Sequence, residues 1–166
     1  MSSKHALPKK GDNQGENKAA REALIAALNE DLAREYQAII GYIVYSQVIK
    51  GAAFMSIAQQ LEQHAAEELA HAITICRQID YLGGSPVTVP MPVKTSDKAV
   101  DMLHVDLANE TETIAAYRER VNQCEALGEI AMAEHIREIL KDEQDHQIDL
   151  ATALGVEVPN NSSLGS

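Results

Sequence analysis

Tryptophan is absent from this chain of 166 residues, phenylalanine occurs once and aromatics make up 4% of it, so stacked rings do not build its core. Cysteine is nearly as scarce. Cys76 and Cys124 are too few for a disulfide framework and form no zinc ligand set. No segment approaches 18 consecutive apolar residues, which excludes a membrane-spanning helix. Residues 1–18 hold no apolar run, so no secretory signal is expected there, and the expected compartment is a reducing cytoplasm. Cations are also in deficit. The 14 Lys and Arg against 25 Asp and Glu leave a formal net charge of −11, which argues against a nucleic-acid-binding surface and suits the attraction of small cations. What is present is ordinary globular composition, 45% hydrophobic and 23% charged, in a length that suits one domain.

Proline and glycine divide the chain. Residues 1–18, with Pro8, Gly11 and Gly15, read as a disordered tail. Residues 19–155 form the domain, and 156–166 a flexible polar tail. Within the domain, helices are expected over 19–50 and over 52–82, the second stopped by Gly83, Gly84 and Pro86. The stretch VTVPMPV (87–93) cannot be helical and reads as an extended link. Ser96 or Asp97 is expected to cap a third helix that runs to about Gly128. A fourth ends at Gly155. The link between the second and third helices can span about 45 Å when extended, the length of such a bundle. The predicted fold is all-α, a four-helix bundle with one long crossover.

Each helix carries an apolar stripe at alternating steps of four and three, and each stripe is interrupted by polar residues. The first (28, 32, 35, 39, 42, 46, 49) reads Leu, Leu, Glu, Ile, Tyr, Ser, Ile. The second (57, 61, 64, 68, 71, 75, 79) reads Ile, Leu, His, Glu, His, Ile, Ile. The third (103, 107, 110, 114, 117, 121, 124) reads Leu, Leu, Glu, Ile, Tyr, Val, Cys. The fourth (132, 136, 139, 143, 146, 150, 153) reads Met, Ile, Ile, Glu, His, Leu, Ala. The interruptions repeat: a shift of 75 residues carries Asp31 onto Asp106, Glu35 onto Glu110, Tyr42 onto Tyr117, Glu68 onto Glu143 and His71 onto His146. The two helix pairs therefore look like related halves.

Four carboxylates on core-facing stripes are an energetic problem. Each unpaired buried charge costs several kcal/mol even after relaxation, against a total stability of about 5–15 kcal/mol. No Lys or Arg lies on the stripes to neutralise them. Two divalent cations would, with His71 and His146 completing the shells. Glu-x-x-His sets both side chains on one helix face, and one Glu from each of two helices with Glu-x-x-His from each of the other two is the ligand set of di-iron and di-manganese carboxylate bundles. A lone Glu-x-x-His is usually a solvated face. Two of them, with two further stripe glutamates at equal spacings, point to a dinuclear metal site of Glu35, Glu68, His71, Glu110, Glu143 and His146. Iron and manganese both suit these ligands.

The same residues carry a family resemblance over roughly positions 20–154. The segment LNEDLAREYQAIIGY (28–42), the two motifs EELAH (67–71) and DEQDH (142–146), and DLANE (106–110) resemble the helix motifs of the ferritin-like superfamily, in particular bacterioferritin and the Dps-like mini-ferritins. The resemblance implies a ferroxidase that oxidises two Fe(II) per chain with O2 or H2O2 and stores ferric mineral in a cage. It also implies that Asp142 orients His71 and Glu67 orients His146. Tyr42 and Tyr117 would donate an electron or hydrogen-bond a ligand glutamate, or serve as core tyrosines with satisfied hydroxyls.

Departures from the pattern set further expectations. Leu69 stands where bacterioferritins carry the haem-ligating Met, so no haem is expected. No amphipathic segment follows Leu154 to form a fifth helix, and a rubredoxin-type cysteine module is missing. These departures favour the mini-ferritin branch and a homo-oligomeric cage of about 12 subunits, with a dimer as the alternative. Competing functions are peroxide detoxification of the rubrerythrin or manganese-catalase kind, without storage, and a DNA-protecting cage. The tail of 1–18 is only net +2 on a body of −13, which disfavours DNA. His64 reads as a core histidine, with a place near an iron entry route as the alternative, and His104 and His135 as surface residues. Cys76 and Cys124 would stand about 9 Å apart along the axis if their helices are parallel, too far for a disulfide.

Overall fold

The computed structural model describes residues 12–160. Four helices account for most of them: α1 (Asp12–Val48), α2 (Met55–Tyr81), α3 (Ala99–Ala126) and α4 (Ile130–Leu154). A 3-10 turn, Ala52–Phe54, joins the first two. The all-α bundle expected from the periodicity is the observed fold. No described helix is long and apolar enough to cross a membrane.

The helix ends follow the glycines. At Gly128 the chain turns from α3 into α4 with φ +76°, and the Glu129 and Gly128 amides return to Cys124 and Glu125 carbonyls, capping α3. The same paired bonds close α2 at Gly83 and Gly84, and α4 at Gly155. Several boundaries differ from expectation. α1 ends at Val48 rather than 50, and Ala52–Phe54, expected within the second helix, is a 3-10 turn that precedes α2 at Met55. Residues 12–18, read as part of a disordered tail, are helical: α1 begins at Asp12. Once a helix is nucleated, each added residue gains a hydrogen bond, and the Lys18–Glu22 pair at i,i+4 supports this first stretch. The remainder of that tail, with Lys4, Lys9 and Lys10, lies outside the described residues, as do 161–166. Neither Ser96 nor Asp97 is the cap of α3. Lys98 holds that position, while Ser96 Oγ accepts from the Lys98 amide and donates to Asp101.

The crossover explains the topology. After Gly84 it runs back along α1: Asn29 bonds both the Ser85 carbonyl and the Val87 amide, the Met91 amide donates to Ala33 O, Gln37 donates to Pro92 O, and the Tyr45 hydroxyl to Lys94 O. The chain therefore re-enters the bundle at the end where α1 finishes. α3 runs parallel to α2 and antiparallel to α1, and α4 is antiparallel to α2.

The stripes form the core. Of their 28 positions only Ile39, Ser46 and Ala153 are half-buried, and the rest are buried. The apolar residues separate into two layers. One packs Leu24, Leu28 and Leu32 with Ile75, Ile79, Tyr117, Val121, Ile136 and Ile139. The other packs Tyr42 and Tyr45 with Ile57, Leu61, Leu103, Leu107 and Leu150. The polar interruptions of all four stripes fall between them.

Candidate metal centre

Four helices contribute to one buried polar layer. Glu35 comes from α1, Glu68 and His71 from α2, Glu110 from α3, Glu143 and His146 from α4, and none is more than 5% exposed. Their ligand atoms fall into two groups, each within 4.8 Å: Glu35, Glu68, His71 and Glu143 in one, Glu68, Glu110, Glu143 and His146 in the other. Glu68 and Glu143 belong to both. The 75-residue repeat thus becomes a two-fold arrangement of two four-ligand sets that share a pair of carboxylates.

The side chains converge without satisfying one another. His71 Nδ1 lies 2.9 Å from Glu68, 3.3 Å from Glu143 and 3.6 Å from Glu35. His146 Nδ1 lies 3.0 Å from Glu68 Oε1, yet the two are not aligned for a hydrogen bond. Glu35 Oε2, Glu68 Oε1, both Glu143 oxygens and His146 Nδ1 are buried with no partner. Buried polar atoms are nearly always paired, so five orphans in one layer call for a bound cation. Glutamate and imidazole donors at this count suit iron or manganese, and the residues present fit a dinuclear ion pair.

The second nitrogen of each imidazole is held from the opposite helix. His71 Nε2 is 3.3 Å from Asp142 Oδ2, and His146 Nε2 is 2.8 Å from Glu67 Oε2. Such carboxylates fix ring orientation and turn Nδ1 inward. The tyrosines cross between halves: Tyr42 donates to Glu110 Oε1 and Tyr117 to Glu35 Oε1. These bonds occupy one oxygen of each outer glutamate.

Electrostatics follow from burial. It pushes the Glu35 carboxyl well above the usual range, reinforced by Glu68 and Glu143, and does the same for Glu110 with Glu143 and Glu68. Burial also opposes ionisation of Glu68, but the facing imidazoles outweigh it and hold that carboxyl below its usual range. His71 and His146 are driven upward against their own burial by the carboxylates around them, His146 to about 12. Without metal, protons take the place of cations here. Both tyrosine hydroxyls are raised, first by burial and then by the glutamates they bond.

A cavity of about 30 Å³ reaches the layer between α1 and α3, past Glu35 and Glu110, with half-buried Arg34 and Asn109 and exposed Glu112 in its walls. That volume holds a water. Arg34 and the buried Arg120 both pair with Asp31, Arg120 at 2.7 Å. Arg120 is a buried cation that stripe reasoning passed over, because it lies off the stripe. Asp106, the counterpart of Asp31 in the other half, has no such partner and leaves Oδ2 orphaned. His64 is 1% exposed, and His104 and His135 are exposed, as expected. Leu69 is exposed on α2. Cys76 and Cys124 are both free, with Cys76 Sγ 3.7 Å from the Tyr36 hydroxyl.

Comparison with known proteins gives a consistent result. A family model described as a ferritin-like domain matches residues 25–157. Bacterioferritin of Brucella melitensis is 26% identical over 141 residues, covering 81% of this chain and 88% of that protein. A ferritin-like diiron-carboxylate protein from Bacillus anthracis superposes with a TM-score of 0.78 at 32% identity, over 81% of this chain and 97% of the other. The bacterioferritin-related protein of Bacteroides fragilis, a dodecameric thioferritin, gives 0.75 at 28% identity over 81% and 86%.

Proposed function

This chain belongs to the ferritin-like domain family, and from that premise we propose that it is a ferroxidase and iron-storage protein whose substrate is Fe(II). The observation that carries the reading is the set of five orphaned ligand atoms at the convergence of six buried side chains. Two Fe(II) ions would be held by Glu35, Glu68, His71, Glu110, Glu143 and His146. Glu68 and Glu143 would serve both ions, since each belongs to both ligand groups. Glu35 with His71, and Glu110 with His146, would serve one ion each. Asp142 and Glu67 position the two imidazoles, and Tyr117 and Tyr42 position the terminal glutamates. Leu69 supplies no thioether, so no haem ligand is proposed there.

Two ferrous ions side by side deliver two electrons together. With H2O2 the balance is two Fe(II), one H2O2 and two protons giving two Fe(III) and two waters. With O2 the same pair of electrons and protons gives H2O2. In both cases the two protons come from solvent. The reading favours storage over simple peroxide removal because the Bacteroides fragilis relative is a dodecamer, and a closed cage keeps ferric product in solution.

Replacing Glu68 or Glu143 with Ala tests the assignment. Each removes a shared carboxylate, so rapid Fe(II) oxidation, followed by stopped-flow absorbance, should fall by a factor of about 100 or more. Oxidation at the parental rate in either variant would overturn it.

A further inference from the structure

The two halves of the repeat agree in the six converging side chains but not in the charges behind them. Asp31 stands one turn before Glu35 and Asp106 one turn before Glu110, and both are buried. Asp31 is compensated twice, by Arg120 Nε at 2.7 Å and by Arg34 at 3.3 Å. A shift of 75 residues sets Tyr45 against Arg120 and Asn109 against Arg34, and neither counterpart is a cation. Tyr45 turns its hydroxyl to the Lys94 carbonyl, and Asp106 Oδ2 keeps no partner. The walls of the α1–α3 cavity differ in the same sense, with Gln37 on one side answered by Glu112 on the other.

These groups act on the polar layer. Burial is the main reason that the Tyr117 and Tyr42 hydroxyls are raised, and beside the glutamates they bond, Asp31 adds to the first and Asp106 to the second. Asp106 is itself raised by burial and then by Glu68. Among these buried and half-buried groups, the Glu35 half carries a net charge of +1. The Glu110 half carries the charge of Asp106 alone, or none where Asp106 holds a proton. In either state it is the more negative half. Buried charges are screened far less than exposed ones. At an effective dielectric of about 20, a unit charge about 15 Å away still changes the affinity for a dication by about tenfold or more. A structural ion pair accounts for Arg120 beside Asp31. It does not account for a buried carboxylate kept at position 106 without a cation, which costs stability unless a positive ion lies nearby.

We propose that the two positions of the dinuclear pair are unequal, the one at Glu110 and His146 filling first and holding its ion, and the one at Glu35 and His71 filling second and exchanging. Asp106 draws the first ion, and Arg120 and Arg34 weaken the second, without any of the three being a ligand. The inequality grows on oxidation, because a ferric ion carries a third charge, so ferric product leaves from the Glu35 end. This inference rests on the dinuclear reading above.

The test uses crystals of the full chain, grown metal-free and equilibrated without oxygen with one Co(II) per chain, with anomalous difference maps that read the two positions separately. In the parent, the peak beside His146 should exceed the peak beside His71 by about threefold or more, the occupancy ratio that a tenfold difference in affinity gives at this loading. Arg34→Asn installs the residue the other half carries and leaves Asp31 its bond to Arg120, so it should raise the peak beside His71. Asp106→Asn keeps the shape and removes the charge, so it should lower the peak beside His146. Arg34→Lys keeps the charge and should keep the parental ratio, which a packing role alone would not predict. Equal peaks in the parent, a stronger peak beside His71, or a ratio that neither Arg34→Asn nor Asp106→Asn changes overturns the inequality and leaves the dinuclear reading intact. Absence of both peaks at excess Co(II) overturns the dinuclear reading itself.

Discussion

Six side chains converge in the buried polar layer, and their protonation ties pH and stability together. Glu35, Glu110, His71 and His146 all bind protons more tightly in the folded chain than their ordinary values of 4.5 for glutamate and 6.5 for histidine. A group raised on folding stabilises fully below its unfolded value and loses that contribution as pH climbs toward its folded one. For His146 the window runs from 6.5 to about 12. Glu68 is lowered, so its contribution is present above 4.5 and lost only in acid. Metal-free protein should therefore melt at progressively lower temperature as pH rises from about 6.5 to about 9, in calorimetry at constant ionic strength. Metal-loaded protein should melt several degrees higher and vary much less over that range, because cations replace the protons. Equal melting points with and without excess Mn(II) or Zn(II) would contradict a buried site. These six residues were legible in the sequence because polar residues on a core stripe need a reason, and because the reason occurs twice. Arg120 was not, because it lies off the stripe.

At the scale of elements, periodicity of four and three located all four helices, and glycines located the C-terminal ends of α2, α3 and α4. The N-terminal ends were less legible, since no side-chain cap is used at α2, α3 or α4. Asp12–Lys18 is helical without an apolar stripe, sustained by continuation of the helix that follows. The crossover was readable as extended from its prolines, but its course along α1 depends on Asn29, Gln37 and Tyr45, which carry no sequence signal of that role. Where α2 ends, Gly84 packs so close to α1 that an added Cβ would stand 2.5 Å from Ile25 Cγ2 and 3.1 Å from Ile79 Cγ2. Both are stiff, branched positions. Gly84→Ala should therefore cost about 1–3 kcal/mol by denaturant unfolding, despite the modest size of the change. A neutral substitution would mean that the α1–α2 contact is looser than described.

For the whole molecule, the outward surface of α1, α2 and the crossover exposes several apolar side chains. Ile43, Leu69, Ile73 and Val89 are each about half exposed or more, and a depression of about 360 Å³ is lined by Tyr36, Ile39, Ile40, Thr88 and Pro90. Such a surface on an acidic protein fits contact between copies, in keeping with a closed assembly. Native mass measurement is expected near 220 kDa, about 12 chains of 18.1 kDa, whereas about 36 kDa would mean a dimer and sink the cage. The central claim, that the buried layer holds two irons and oxidises them as a pair, has a more direct test. Metal-free protein loaded without oxygen with two 57Fe(II) per chain and then exposed to oxidant should give a Mössbauer spectrum dominated by a spin-coupled diferric pair at substoichiometric turnover. Replacing Glu68 or Glu143 should abolish that signal. Isolated, uncoupled ferric ions in the parent protein under the same loading would contradict the account.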